Sequence, residues 1–476
     1  LRPLSLSRAV HLLDGLQGSV VGVGVTAFPR AGLVDVIPSY RIVCLRKTGD
    51  LRALRRKTPV FCLEEDSGGE PGPGDSFRLL SHPATRKYLG GLPKPVHLLL
   101  YQSTPELEDL ARTDGWHLLA NPGALRIRTS DRAFFQGMVN RLDFPIIPGG
   151  MSSLKRFVTR SYAAWAEELG PRLAIQLPDI TQGGGRSTFF VKSAEDYQGV
   201  VDRIRGASLW GKRLNRVLVR RTVDGEPASI SVCVTPRGAL VAGFQSQIID
   251  PPFARGVPAQ GVFFGHSWGG SCWPGAVERE ARRLGGTVGR ILGSMGYRGI
   301  LGLDVVVMRE EGMIYPVELN PRLTAAFPLV SRLQVKNGEA PVELFHVLSF
   351  LAPSLIPEDA GVVERREIRG GQILLFRGLG EKPLKPLPEA GLYSISGDSL
   401  ADLHFMGEAW EMTEAGDGDS FVLTDGPPEG SLETADPLFR MGRLLFASPV
   451  QEPGGRLTAR AGEAVERVLA RIFGQP

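Results

Sequence analysis

Two neighbouring segments constrain the fold more than any other stretch: Gly302-Leu303-Asp304-Val305-Val306-Val307 and Tyr315-Pro316-Val317-Glu318-Leu319-Asn320-Pro321-Arg322. Both read as β-strands, and the polar turn Arg309–Gly312 between them ends in glycine, so a hairpin is predicted. Side chains two apart leave one face of a strand, which puts Glu318 and Asn320 together. If the strands pair across the turn, Asp304 joins them. Two carboxylates and an amide oxygen are hard donors of the kind Mg²⁺ takes when it also holds nucleotide phosphates. Arg322 points the same way and can meet the charge of a transferring phosphoryl group. A solvated acid pair with an arginine partner on a sheet face is the alternative that the residues alone leave open.

With 476 residues the chain is too long for one core, and roughly two to four structural units are expected. Hydrophobic residues make up 42% and charged residues 22%, the balance of an ordinary globular chain. The net charge of +4 with no basic-aromatic stripe gives no support to nucleic-acid binding. No apolar run has the length of a membrane span. Cys44, Cys62, Cys233 and Cys272 are far apart in no metal-type pair, so buried free thiols and a reducing, cytoplasmic setting are expected. No secretory pattern opens the chain, and its start at Leu1 rather than Met reads as trimmed or incomplete.

An N-terminal α/β domain is expected over residues 1–120, with short apolar strands at Ser19–Val25, Arg41–Cys44, Pro59–Leu63 and Val96–Tyr101. Gly22-Val23-Gly24 resembles the start of a dinucleotide fingerprint, but Pro29 and Arg30 stand where a further glycine and a helix start belong. Residues 121–350 form a second region in two parts, about 121–215 and 216–350. In the first, Ser130-Asp131 caps a helix over Arg132–Leu142, and Lys155–Leu169 reads as one amphipathic helix. The second carries antiparallel strands, a glycine-rich aromatic loop around Gly261–Trp273 and a long helix over Pro274–Met295. Residues 351–476 read as a small β-rich domain closed by an amphipathic helix, Ala459–Phe473.

A second piece of chemistry is Gln182-Gly183-Gly184-Gly185-Arg186-Ser187-Thr188, lying between two predicted strands. Glycines let backbone N–H groups approach phosphate oxygens, and Arg186, Ser187 and Thr188 add donors. Val217–Val223 runs into Asp224-Gly225-Glu226, an edge that can offer backbone groups to an adenine. Either piece alone is an ordinary turn.

In this order, over about residues 120–335, the pieces resemble the ATP-grasp superfamily, biotin-carboxylase-like and carbamoyl-phosphate-synthetase-like ligases in particular. The most specific part is Gly296-Tyr297-Arg298-Gly299 through Asp304 to Glu318-Leu319-Asn320-Pro321-Arg322. The resemblance implies a two-subdomain fold clamping ATP, with one or two Mg²⁺ ions (Mn²⁺ as an alternative). By resemblance Asp304, Glu318 and Asn320 hold metal, and Arg322 with Asn320 acts at the phosphoryl group. Gly183, Gly184, Gly185, Arg186, Ser187 and Thr188 form the lid, and Arg221 with Val223 belongs to the adenine hinge. Arg132 and Gln176 stand where the family usually has phosphate-binding lysines; Arg keeps the charge and Gln keeps only a donor. Arg220 replaces the usual hinge acid. A subset of biosynthetic ATP-grasp proteins is similar in having glutamine at the Gln176 position.

The implied activity joins a small-molecule carboxylate, an amino acid or peptide among the options, to an amine through an acyl phosphate. A small-molecule kinase and a degenerate ATP-binding sensor are the alternatives. His266, Trp268 and Trp273 are loop residues that could border a substrate, although core roles are the commoner fate of such residues. A homodimer is the default assembly.

Overall fold

The computed structural model describes residues 4–474 apart from 14, 68–73, 181–186, 207, 210, 255, 258–259, 270–272, 359–365, 380–386, 396–402, 417 and 429–435. Among the described residues the strands form sheets of five, four and ten strands and a two-stranded ribbon. None of their helices is long and apolar enough to cross a membrane.

The five-stranded sheet is parallel, in the order Val60–Cys62, Arg41–Cys44, Ser19–Gly24, Val96–Leu99, Trp116–Leu118. Its central strand, Ser-Val-Val-Gly-Val-Gly, is buried along its whole length, as parallel strands covered on both faces are. A Cβ on Gly22 would lie 2.3 Å from the Tyr40 hydroxyl, so that glycine serves close packing. The chain then enters a 3₁₀ turn, Phe28–Leu33, in place of the helix start a dinucleotide fold needs.

The four-stranded antiparallel sheet runs Gly149–Ser153, Arg216–Arg221, Leu173–Gln176, Thr188–Val191. One face is apolar: Leu173, Ile175, Val191, Val217 and Val219 share a core with Phe157, Trp165 and Tyr197 of the covering helices. The other face, by the period of two, carries Gln176, Thr188 and Arg220. The single helix expected at Lys155–Leu169 is instead two, Leu154–Thr159 and Tyr162–Leu169. Ser161 breaks it by capping the second helix, its hydroxyl accepting the Ala164 N–H at 3.2 Å. Arg160, extended between them, lays its guanidinium 4.1 Å over the Trp165 ring.

The ten-stranded sheet is antiparallel and begins Met313–Asn320, Gly299–Met308, Glu226–Thr235, Gly238–Ile249, Phe263–Trp268. Helix Gly275–Ser294 lies on it through Val277, Ala281, Leu284, Val288 and Leu292. Gly289 permits the close approach, since a Cβ there would meet that of Ala239 at 2.4 Å. The stretch expected as a loop around Gly261–Trp273 contains the strand Phe263–Trp268, because its far edge is paired with Gly370–Phe376. Through that pairing the sheet continues into Arg440–Phe446, Ser420–Thr424, Gly391–Ser394 and His404–Gly407. The terminal helix Ala459–Phe473 packs Ala461, Val465, Val468 and Ile472 against this extension.

Candidate active site

The hairpin register brings Asp304 directly opposite Glu318 and Gly302 opposite Asn320. The two acids and the asparagine therefore share a face. Gly302 keeps room for the turn that follows, because a Cβ there would come within 2.7 Å of Thr324 Cγ2. Asp304 Oδ2 accepts from Asn320 Nδ2 at 2.8 Å and Oδ1 from Gln247 Nε2 at 2.9 Å. Burial, reinforced by the Glu318 charge, pushes the Asp304 carboxyl up to about 7, against the pull of Arg322 and of its two hydrogen bonds. Two opposed carboxylates with an amide beside them are a donor set that fits a divalent cation, which would relieve this repulsion.

Arg322 links this cluster to the N-terminal sheet. Its Nη2 donates to Asn320 Oδ1 at 2.9 Å and its guanidinium lies 4.9 Å over the Tyr101 ring. Tyr101 lies two residues beyond the strand Val96–Leu99, at the carboxyl end of the parallel sheet, where such sheets bind ligands. Arg126 lines the same small crevice as Tyr101 and Arg322, and its Nε donates to the Ser103 carbonyl at 2.8 Å.

Arg132 is the first residue of helix Arg132–Val139, whose cap Asp131 accepts the Phe134 N–H at 2.9 Å. Its Nη2 reaches Glu318 at 3.3 and 3.4 Å. Its Nη1 is buried with no hydrogen-bond partner among the described residues. Gln176 lies on the polar face of the four-stranded sheet, its Nε2 donating to Thr188 Oγ1 at 3.2 Å and its Oε1 accepting from Arg220 Nη2 at 2.6 Å. Arg220 Nη1 crosses to the ten-stranded sheet, donating to the Val317 carbonyl at 3.3 Å. Burial and the nearby Arg132 charge pull Arg220 down to about 10, with Glu318 acting against them.

Val223 lines a cavity of about 590 Å³ together with Phe190, Lys192, Thr222 and Asp250. Arg221 turns the other way, its Nε donating to the Leu169 carbonyl at 2.7 Å, so its side chain takes no part in the cleft. Ser187 is buried and its carbonyl accepts the Leu177 N–H at 3.0 Å. Gly183, Gly184, Gly185 and Arg186 lie outside the described residues.

His266 does not border a cleft. It sits within the strand Phe263–Trp268, bonded through Nδ1 to Gln372 Nε2 at 2.7 Å, and burial drives it down to about 3. An imidazole held neutral there has a packing role. Trp268 Nε1 donates to Gln245 Oε1 at 3.2 Å inside the core. Trp273 is buried against Phe244, with Arg309 over its ring at 4.9 Å. Sequence reasoning missed Gln247 and Tyr101 as members of the site and took Arg220 only as a departure from a motif. The position of Tyr101 at a strand end was the one signal available.

Comparison with known proteins bears on the fold. Residues 179–326 match the family model of the ATP-grasp domain. The large chain of the arginine-specific carbamoyl phosphate synthase of Geobacillus stearothermophilus is 23% identical over 202 residues, 42% of this chain. The match spans 17% of that relative's length. A biotin carboxylase from Campylobacter jejuni, solved with a β,γ-ATP ligand, aligns with a TM-score of 0.59 at 11% identity, over 97% of this chain and 92% of its own. An L-amino acid ligase from Bacillus licheniformis gives 0.53 at 12% identity, over 97% of this chain and 100% of its own. The biotin carboxylase domain of Hydrogenobacter thermophilus 2-oxoglutarate carboxylase, solved with MgADP and bicarbonate, gives 0.52 at 12% identity, over 91% of this chain and 87% of its own. The fold is that of the ATP-grasp class, and this chain carries an ATP-grasp domain.

Proposed function

We propose that this protein is an ATP-dependent ligase that joins a carboxylate to an amine through an acyl phosphate, releasing ADP and phosphate. The observation that carries this reading is the convergence of Asp304, Glu318 and Asn320 on one sheet face, with Arg322 leading from them to the crevice at Tyr101. Asp304, Glu318 and Asn320 would hold Mg²⁺ at the β- and γ-phosphates. Magnesium, when bound, supplies neutralisation of the charge that develops in phosphoryl transfer.

The chain's own residues bind and orient. Arg132 offers toward the phosphates its Nη1, which has no partner among the described residues, while Glu318 fixes its Nη2. Thr188 and Gln176, bonded to each other, lie on the lid side. The cavity beside Val223 is large enough for a nucleoside and is walled by Phe190. Arg322 would hold the substrate carboxylate in line with the γ-phosphate, its plane supported by Tyr101. No side-chain nucleophile is needed, because positioning and fixed charge carry the catalysis.

The test is ADP release from ATP and Mg²⁺ by purified protein over a panel of amino acids, peptides and other small acids paired with amines. Release above a Glu318→Ala control, with an amide product by mass, supports the reading. A stable phosphorylated product formed without a second substrate would make the protein a kinase instead. ADP release never exceeding the control would end the proposal.

A further inference from the structure

The polar face of the four-stranded sheet carries a buried cation that, among the described residues, has no anion in contact with it. Arg220 is only 4% exposed. Among the described residues its hydrogen bonds both go to neutral oxygens, Gln176 Oε1 at 2.6 Å and the Val317 carbonyl at 3.3 Å. A buried guanidinium normally has a carboxylate against it, because an unpaired charge away from water is costly. Arg132 adds a second guanidinium close enough to act on Arg220, and its Nη1 is also buried with no partner among the described residues. Among the described residues Glu318 is the carboxylate that acts on both, and the metal would draw on its charge too. Two arginines from different elements therefore face a single acid that is already committed.

Gln176 is oriented in a way that explains the arrangement. Its Nε2 donates to Thr188 and its Oε1 accepts from Arg220. The amide is thus spent on holding Arg220 next to the lid strand. Register places Arg220 opposite Ala174 and Gln176 opposite Leu218, so the guanidinium crosses diagonally to Gln176 on the cleft face.

We propose that Arg220 supplies the positive charge that binds the phosphate chain of the nucleotide, and that Gln176 is the positioning residue that aims it. The charge missing from position 176 is delivered from the neighbouring strand. This assignment rests on the nucleotide reading above and deepens it. It gives the hinge strand two roles, with Arg220 at the phosphates and Val223 at the nucleoside cavity.

The experiment measures binding of MgADP and of adenosine by calorimetry to wild type, Arg220→Met, Arg220→Lys and the double variant Gln176→Lys/Arg220→Met. Thermal melts establish that each variant folds. Arg220→Met should weaken MgADP by roughly 10–100-fold, the worth of a charged hydrogen bond, and leave adenosine within about twofold. Arg220→Lys should fall between, since an ammonium keeps charge without the fork. The double variant should recover most of the loss by returning a cation from position 176 itself. Unchanged MgADP binding in Arg220→Met overturns the assignment alone. So does an equal loss of MgADP and adenosine, which is what a purely structural tie to Val317 would give. Failure of the double variant to recover overturns it as well. A folded wild type that binds neither ligand removes the nucleotide reading and this assignment with it.

Discussion

Replacing Glu343 by glutamine should stabilise the protein above pH 7 and do nothing at pH 4.5. Glu343 is fully buried in helix Val342–Leu351, against the 3₁₀ turn of the N-terminal sheet, where a Cβ on Gly32 would fall 1.6 Å from its Oε2. Burial pushes its carboxyl up to about 7 from an ordinary 4.5, against the Ser331 hydroxyl and the Arg30 and Arg332 charges. A carboxyl raised in the folded state leaves stability intact below its unfolded pKa and removes it as pH climbs through the folded one. The window is therefore pH 4.5 to about 7. The gap corresponds to about 3 kcal/mol at ~1.36 kcal/mol per pH unit, and relaxation and water entry reduce this to roughly 1–3 kcal/mol. Loss of the acid should not strand Arg30, which already donates to the Val23 and Pro29 carbonyls at 2.7 and 2.6 Å. Thermal melts of both proteins from pH 4.5 to 8.5, without nucleotide or metal, should give equal Tm at the acid end. At the alkaline end Glu343→Gln should lead by roughly 2–4 °C, since the shift per kcal/mol shrinks as the cooperative unit grows. Taking the difference between variants cancels His266, whose depressed pKa makes both lose stability as pH falls below about 6.5. A glutamine variant less stable than wild type at pH 8 would show that the ionised form is favoured by its surroundings, and the reasoning would be wrong.

The other expectations concern the site and its frame. Glu318→Gln should reduce ADP release by at least about 100-fold and abolish the Mg²⁺-dependent part of any ADP-induced Tm rise, as removal of a metal ligand does. Tyr101→Ala should raise KM for the carboxylate by roughly 3–10-fold while KM for ATP stays put, since the ring supports Arg322 by a contact worth about 1 kcal/mol; steady-state kinetics with each substrate varied decides it. Gly299→Ala should cost roughly 2–4 kcal/mol in urea unfolding, because φ is +82° and the new Cβ would lie 2.1 Å from His346 Nδ1, the acceptor of the Ile300 N–H. A chain cut after residue 350 should fail to give a cooperative melt, since Phe263–Trp268 loses one of its two strand partners and Arg332 its bidentate bond to Glu411.

Local periodicity made the face with the two acids and the amide readable. Asp304, Glu318 and Asn320 depend on two strands and one short turn, so the period of two and a glycine-ended turn suffice to bring them together. Other features depended on contacts far apart in sequence. Gln247 reaches Asp304 across 57 residues, and Phe263–Trp268 is a strand held between Gly238–Ile249 and the distant Gly370–Phe376. The composition of 351–476 suggested a unit of its own. Hydrogen-bond pairing carries no compositional mark, and the strands of that region extend the ten-stranded sheet. The break at Arg160–Ser161 was legible in principle, because serine before a tyrosine-alanine run is a cap signal; the amphipathic period on either side hid it.

Residue-by-residue matching also obscures how charge is distributed in a cleft. Read along the sequence, glutamine at 176 and arginine at 220 are two separate departures, one losing a cation and one gaining it where an acid is usual. Read in the sheet, they are bonded to each other at 2.6 Å on the same face. What an anionic ligand meets is the field at a point in space, and that field is nearly indifferent to which strand the guanidinium comes from. The two substitutions together therefore conserve a charge that each alone would displace. The same logic governs Arg322, whose chain position follows the hairpin of Asp304 and Glu318 but whose plane rests on Tyr101 beside a different sheet. A site assembled from three sheets is specified by how they dock, and docking is what a linear motif does not encode.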